Sequence, residues 1–189
     1  SFGDRTAIAD FQRQDVGMGA LMNQFPQFQA QITAAYAAIQ AYIQNPAEAT
    51  RSLFEQARGF LDQLGQSADA QQQKKLEAIE YERALGQLTR DEALARQAEV
   101  LNNWVGGEES KKAMMLQMVD AYRENFEQQL DMQGEFNETT LQDFVDKLSQ
   151  MQNLTLAQQA QLAAANQIII QQRMQDQQTW MGMLQQGLS

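Results

Sequence analysis

The sequence predicts an all-α protein, an elongated helical bundle with long first and last helices and a middle region of shorter ones. Three observations carry this. Apolar residues recur at three- and four-residue steps, no run alternates with a period of two, and β-branched residues are scarce outside Ile168, Ile169 and Ile170. A length of 189 residues suits a single helical domain, divided into a lead-in and first long helix (1–44), middle helices (45–133) and a C-terminal long helix (137–186).

The first helix is expected over residues 20–44, where Phe25, Phe28, Ile32, Tyr36, Ile39 and Ile43 fall on one stripe. Before it, Gly17, Gly19 and Pro26 predict a frayed or kinked lead-in. Asn45-Pro46-Ala47-Glu48 has the order of an N-cap, a proline at the first helical position and an acid in the first turn, so the chain turns at Asn45 and a new helix starts. Leu53, Phe54, Ala57, Phe60, Leu61 and Leu64 line one side of that helix, and Gly65 is expected to stop it. A third, thinly apolar segment follows over 68–86, with Leu76, Ile79 and Leu85 on a charged background.

Thr89-Arg90-Asp91-Glu92 is a capping box. It should begin a helix that turns Leu94, Ala98, Leu101 and Val105 inward and ends at Gly106-Gly107. Met115, Met118, Val119, Tyr122, Phe126 and Leu130 then mark a core helix that ends near Gly134. Asn137 to Thr140 supplies caps for the last region, where Leu141, Phe144, Val145, Leu148 and Met151 pack. Thr155 offers a second cap, which leaves open a break near Asn153. Beyond it a Gln/Ala rod carries Leu162, Ile168, Ile169, Met174, Trp180 and Leu184 and needs neighbours to be stable.

Composition narrows the function. Hydrophobic residues at 43 %, with two prolines, make a folded chain despite a glutamine share of roughly a sixth to a fifth. A net charge of −10 argues against nucleic acid, whose phosphates are met by clustered Lys and Arg. The doublets Lys74-Lys75 and Lys111-Lys112 lie among acids and fit a solvated face better than a binding patch. No apolar run approaches the length of a membrane span.

With no histidine and no cysteine, the usual metal ligands, bases and thiol nucleophiles are missing. A carboxylate pair is the main catalytic route left. Glu80 with Glu82, or Glu108 with Glu109, do not offer one, because acids so spaced on a helix point to different sides. Calcium-loop, phosphate-loop and dinucleotide-binding patterns are absent; Gly17-Met18-Gly19 follows no strand. The expectation is a protein without catalysis and without a cofactor or metal. Met114, Met115 and Met118 fit core filling, with an adaptable contact surface as the alternative. Trp180, Met181, Met183 and Leu184, close together on a weakly apolar rod, are the candidate protein interface.

Two segments resemble a known family. "TLQDFVDKLSQMQNLTLAQQAQLAAANQIIIQQRMQDQQ" (140–178) is similar to the closing helix, and "NQFPQFQAQITAAYAAIQAYIQ" (23–44) to the first helix, of the minor-pilin subunits at pilus tips of type IV secretion systems. The resemblance implies a bundle of three long helices with a small helical appendage, and a role in tip assembly and contact with the recipient cell. The expected partners are proteins of a larger assembly, further copies of the chain included. An internal virion, ejection or scaffolding protein of a tailed phage is the alternative of the same composition. A chain opening on Ser1 fits a removed signal peptide, which places it in the periplasm or an extracellular pilus, or a lost initiator Met, which places it in the cytoplasm or a virion.

Overall fold

The computed structural model describes residues 2–132 and 136–187. Among these the protein is all-α, a helical bundle of eight α-helices and one 3₁₀ turn with no strand: α1 (Phe2–Gln14), α2 (Met18–Gln24), the 3₁₀ turn Pro26–Phe28, α3 (Gln29–Gln44), α4 (Glu48–Ala84), α5 (Arg90–Asn102), α6 (Glu108–Asp131), α7 (Glu138–Ser149) and α8 (Leu156–Gly187). Where the sequence suggests one domain, the chain gathers into two compact units, Ser1–Thr89 with Asn103–Ala113, and Arg90–Asn102 with Met114–Ser189.

In the first unit α3 packs along α4 as a helical hairpin, and α2 leans on both. Ile32, Ala35, Ile39 and Tyr42 of α3 meet Phe54, Ala57, Leu61 and Leu64 of α4, with Phe11, Leu21 and Phe25 closing the same core. Aromatic rings fix the packing: Tyr42 stacks on Phe54 at 4.5 Å, and Phe11 sets its edge against Phe54 and Tyr36. The stretch after α5 returns to this unit. Trp104 is buried there, with its indole N–H donating to the Ser110 hydroxyl at 2.9 Å.

The second unit has α7 and α5 packed on α8. Its buried residues include Leu94 and Leu101 of α5, Met118 and Tyr122 of α6, Leu141 and Val145 of α7, and Ile168 of α8. Ala157, Ala160, Ala164 and Ala165 are almost wholly buried, and their small side chains let neighbouring backbones come close to α8.

Several expected elements differ. The first long helix is interrupted at Phe25 (φ −127°, ψ 66°), because Pro26 pushes its predecessor out of the helical region. The lead-in is itself helical as α1. Its break at Gly17 (φ 96°) is held by Asp15, which accepts the Gly17 N–H at 3.1 Å.

The expected stop at Gly65 does not occur, and the second and third segments are one helix of 37 residues. Its buried line runs unbroken through Leu61, Leu64, Ala68, Gln72, Leu76 and Ile79, and this burial outweighs the roughly 1 kcal/mol that one interior glycine costs. The stop that is used is Gly86 (φ 75°). Gly86 N–H donates to Arg83 O and Gln87 N–H to Glu82 O, the paired bonds of a Schellman motif. At the other end the cap residue is Ala47 rather than Asn45, and Thr50 Oγ1 accepts the Ala47 N–H.

Helix α5 stops at Asn102, short of Gly106-Gly107, so Val105 lies beyond it and only half-buried. On α6 Met114 is buried, while Met115, expected on the stripe, is half-buried. The stop near Gly134 lies outside the described residues. Leu53 and Met151, expected to pack, are exposed, as is Leu85 at the end of the thinly apolar segment. Leu53 lies beside the buried line that Phe54 and Ala57 begin, and Leu85 and Met151 lie just past the ends of α4 and α7.

The last region is two helices, not one. Asn137 caps α7 by accepting the Thr140 N–H at 3.0 Å. Thr155 and Gln158 form a reciprocal capping box at the start of α8: Thr155 Oγ1 accepts the Gln158 N–H and Gln158 Oε1 the Thr155 N–H. The side chain of Asn102, from the end of α5, takes the next free amide, that of Ala157, at 2.9 Å.

Candidate protein interface

Helix α8 has two apolar faces. Ala157, Ala160, Ala164 and Ile168 recur at three- and four-residue steps and, with Ala165 and Ile169, are buried within the second unit. Beyond Ile169 that packing runs out. Arg173 donates a hydrogen bond to Gln142 Oε1 of α7 at 3.4 Å, and every described residue from Arg173 to Gly187 except Gly182 is exposed.

A second stripe begins where the first ends, roughly opposite to it at 100° per residue. Ile170, Met174, Gln177, Met181 and Leu184 follow one another at steps of four, three, four and three, and Trp180 flanks them. Ile170 is 57 % exposed, Met174 57 %, Trp180 62 %, Met181 60 % and Leu184 48 %. Met183 is as exposed as Trp180 but lies on a different side of the helix. Of the four residues singled out in the sequence, the structure thus places Met181 and Leu184 on one line, Trp180 at its edge and Met183 away from it. Ile170 and Met174 belong to the line and were not singled out; the signal that finds them is the alternation of three and four carried across the Gln-rich background.

Charge is sparse here. Arg173 and Asp176 are the only ionisable side chains from residue 150 onward, so this end is neutral while the chain as a whole carries −10. The lysine doublets 74–75 and 111–112 and the acids Glu80, Glu108 and Glu109 are exposed. Among the described residues no three carboxylates come together where a metal could be held, and no helix is long and apolar enough to cross a membrane.

Two tyrosines have perturbed ionisation. Tyr36 is pushed well above the usual tyrosine range by burial and by Asp15, to which its hydroxyl donates at 2.5 Å. Tyr122 is raised by burial, which a hydrogen bond with Gln161 partly offsets. Both stay protonated at neutral pH, and Tyr36 is a fixed donor to Asp15, which also accepts the Gly17 N–H and so ties α3 to the α1–α2 turn.

No family model, curated protein or solved structure matches the chain.

Proposed function

We propose that the protein is a non-enzymatic assembly subunit, a minor component of a type IV secretion pilus that acts in pilus assembly and cell contact. The observation that carries an assembly role is the apolar stripe on α8, about four turns of helix on which Ile170, Met174, Met181 and Leu184 stay roughly half exposed or more. A free helix of this length is marginal in water and gains from a packed neighbour. The pilus is suggested by the likeness of residues 140–178 and 23–44 to minor pilins. A residue set without His or Cys accords with work done by contact and not by catalysis.

The test is to follow the protein in the cell that makes it. On this reading it co-fractionates with sheared surface filaments, and its deletion abolishes conjugative transfer. Replacing Trp180 and Met181 together by Ala should weaken incorporation into filaments while leaving helicity unchanged. Recovery only in purified phage particles, or only in the cytosol, overturns the pilus reading.

A further inference from the structure

From the spacing of its exposed side chains we infer that the C-terminal half of α8 is a self-recognition element. It pairs with α8 of a second copy of this chain as a parallel, in-register coiled coil over residues 170–187. This goes beyond the pilus reading and does not depend on it.

The periodicity supports a coil. Steps of four, three, four and three are the a/d alternation of a heptad repeat, with Met174 and Met181 at a, and Ile170, Gln177 and Leu184 at d. A stripe repeating every 3.5 residues stays in contact with a partner helix along its whole length, whereas a globular surface is matched by the broader 3.6 pattern seen on the buried face. The exposed portions of Ile170, Met174, Trp180, Met181 and Leu184 amount to on the order of 600 Å² per copy, so a pair that covered them fully would bury at most roughly 1,200 Å², the lower edge of the range of specific interfaces.

The flanks point to an identical partner. In a coil the e and g positions select the other strand through charge. Here they are Gln171, Arg173, Gln178, Trp180, Gln185 and Gly187. Five of the six are uncharged, and Arg173 is already turned to Gln142 of its own chain. A segment flanked by carboxylates would repel its own copy. Glutamine amides both donate and accept, so two like flanks satisfy each other. The −10 charge is carried elsewhere in the chain and does not oppose the pairing at the seam.

The direction follows from Gln177. In a parallel, in-register pair each seam residue meets its own copy, so the two Gln177 amides face and bond one another. In an antiparallel pair a layers face d layers, which sets Gln177 against Met181 and leaves both amides unpartnered. Trp180 at g lies across the side of the seam, where its ring covers the Met181 layer.

The chain has no cysteine, so single-cysteine variants report cleanly. Sedimentation of the full chain from about 1 µM to about 200 µM should show concentration-dependent association. Under mild oxidation Gln177→Cys should form a disulfide-linked pair at least about tenfold faster than Gln63→Cys, a control on an exposed site of α4. Met181→Glu with Leu184→Glu should abolish both signals with unchanged far-UV helicity, since neither side chain is buried in the monomer. A chain that stays monomeric throughout the range overturns the proposal. Association without faster Gln177→Cys cross-linking overturns the parallel register, and association that survives the double glutamate variant overturns the seam.

Discussion

The side chain of Gln72 clasps the backbone of Val105. Its amide Nε2 donates to the Val105 carbonyl at 2.9 Å, and its Oε1 accepts the Val105 N–H at 2.6 Å. Gln72 is the one buried polar residue among those described, at 4 % exposure, and it sits mid-way along α4 where an apolar residue would otherwise be expected. Both of its polar ends are used, which is what makes burial of an amide tolerable. Replacing Gln72 by Ala leaves a backbone donor and acceptor without their partners and should cost about 1–3 kcal/mol by urea denaturation. Gln72→Glu keeps an acceptor but loses the donor, and should recover part of that loss at most.

Two glycines separate the parts of α4 and its neighbourhood that sequence pattern confuses. A Cβ at Gly65 would make only ordinary contact with Val16, at 3.9 Å. Because Gly65 is a helix-interior residue and not a left-handed cap, Gly65→Ala should stabilise by about 0.5–1 kcal/mol; a destabilisation in thermal melts would mean the helix ends there after all.

At Gly107 an added Cβ would lie 2.8 Å from the carbonyl oxygen of Gln14, 3.2 Å from its carbon and 3.3 Å from its Cα. These are backbone atoms and cannot swing aside. Gly107→Ala should therefore destabilise by about 1–3 kcal/mol, measured in the same denaturation assay.

Alkaline pH should loosen the fold through Tyr36 and Tyr122. Both have folded-state pKa values raised above the unfolded value of 10, chiefly by burial, so the folded chain holds these protons more tightly than the unfolded one. The stability they contribute is fully present below about pH 10 and is lost as the pH rises above it. Absorbance titration at alkaline pH should show a late-ionising phase to which Tyr36 and Tyr122 contribute. Tyr36→Phe and Tyr122→Phe should each flatten that alkaline limb.

The cap that Asn102 places on α8 offers a test inside the second unit. Asn102→Ala frees the Ala157 N–H at the start of the helix and should cost about 0.5–2 kcal/mol, visible as faster amide exchange in the first turn of α8. If exchange there is unchanged, the Thr155–Gln158 box alone holds the helix start.

How much was legible in advance divides along physical lines. Caps are local chemistry, and the caps at Asn137 and Thr155 and the turn at Asn45 are all visible in a few consecutive residues. The same holds for the absence of His and Cys and for the charge balance, which need no structure at all. Gly65 and Gly86 look alike in sequence. Only the packing of Leu64 and Ala68 on either side of the first carries the helix through it, while nothing comparable holds the second.

For the candidate interface, the residue types near the C-terminus and their apolar character were set by the sequence. Which of them share a free face was not. Two stripes run along α8 on nearly opposite sides, and a pattern read without its neighbours merges them into one weakly amphipathic rod. Tertiary packing decides between them, because burying Ala157, Ala160, Ala164 and Ile168 against α5 and α7 leaves Ile170, Met174, Met181 and Leu184 turned to water. Local sequence determines where a helix starts and which residues line it; which line is covered depends on the other helices that come to lie against it, and those contacts are made by residues far apart in the chain.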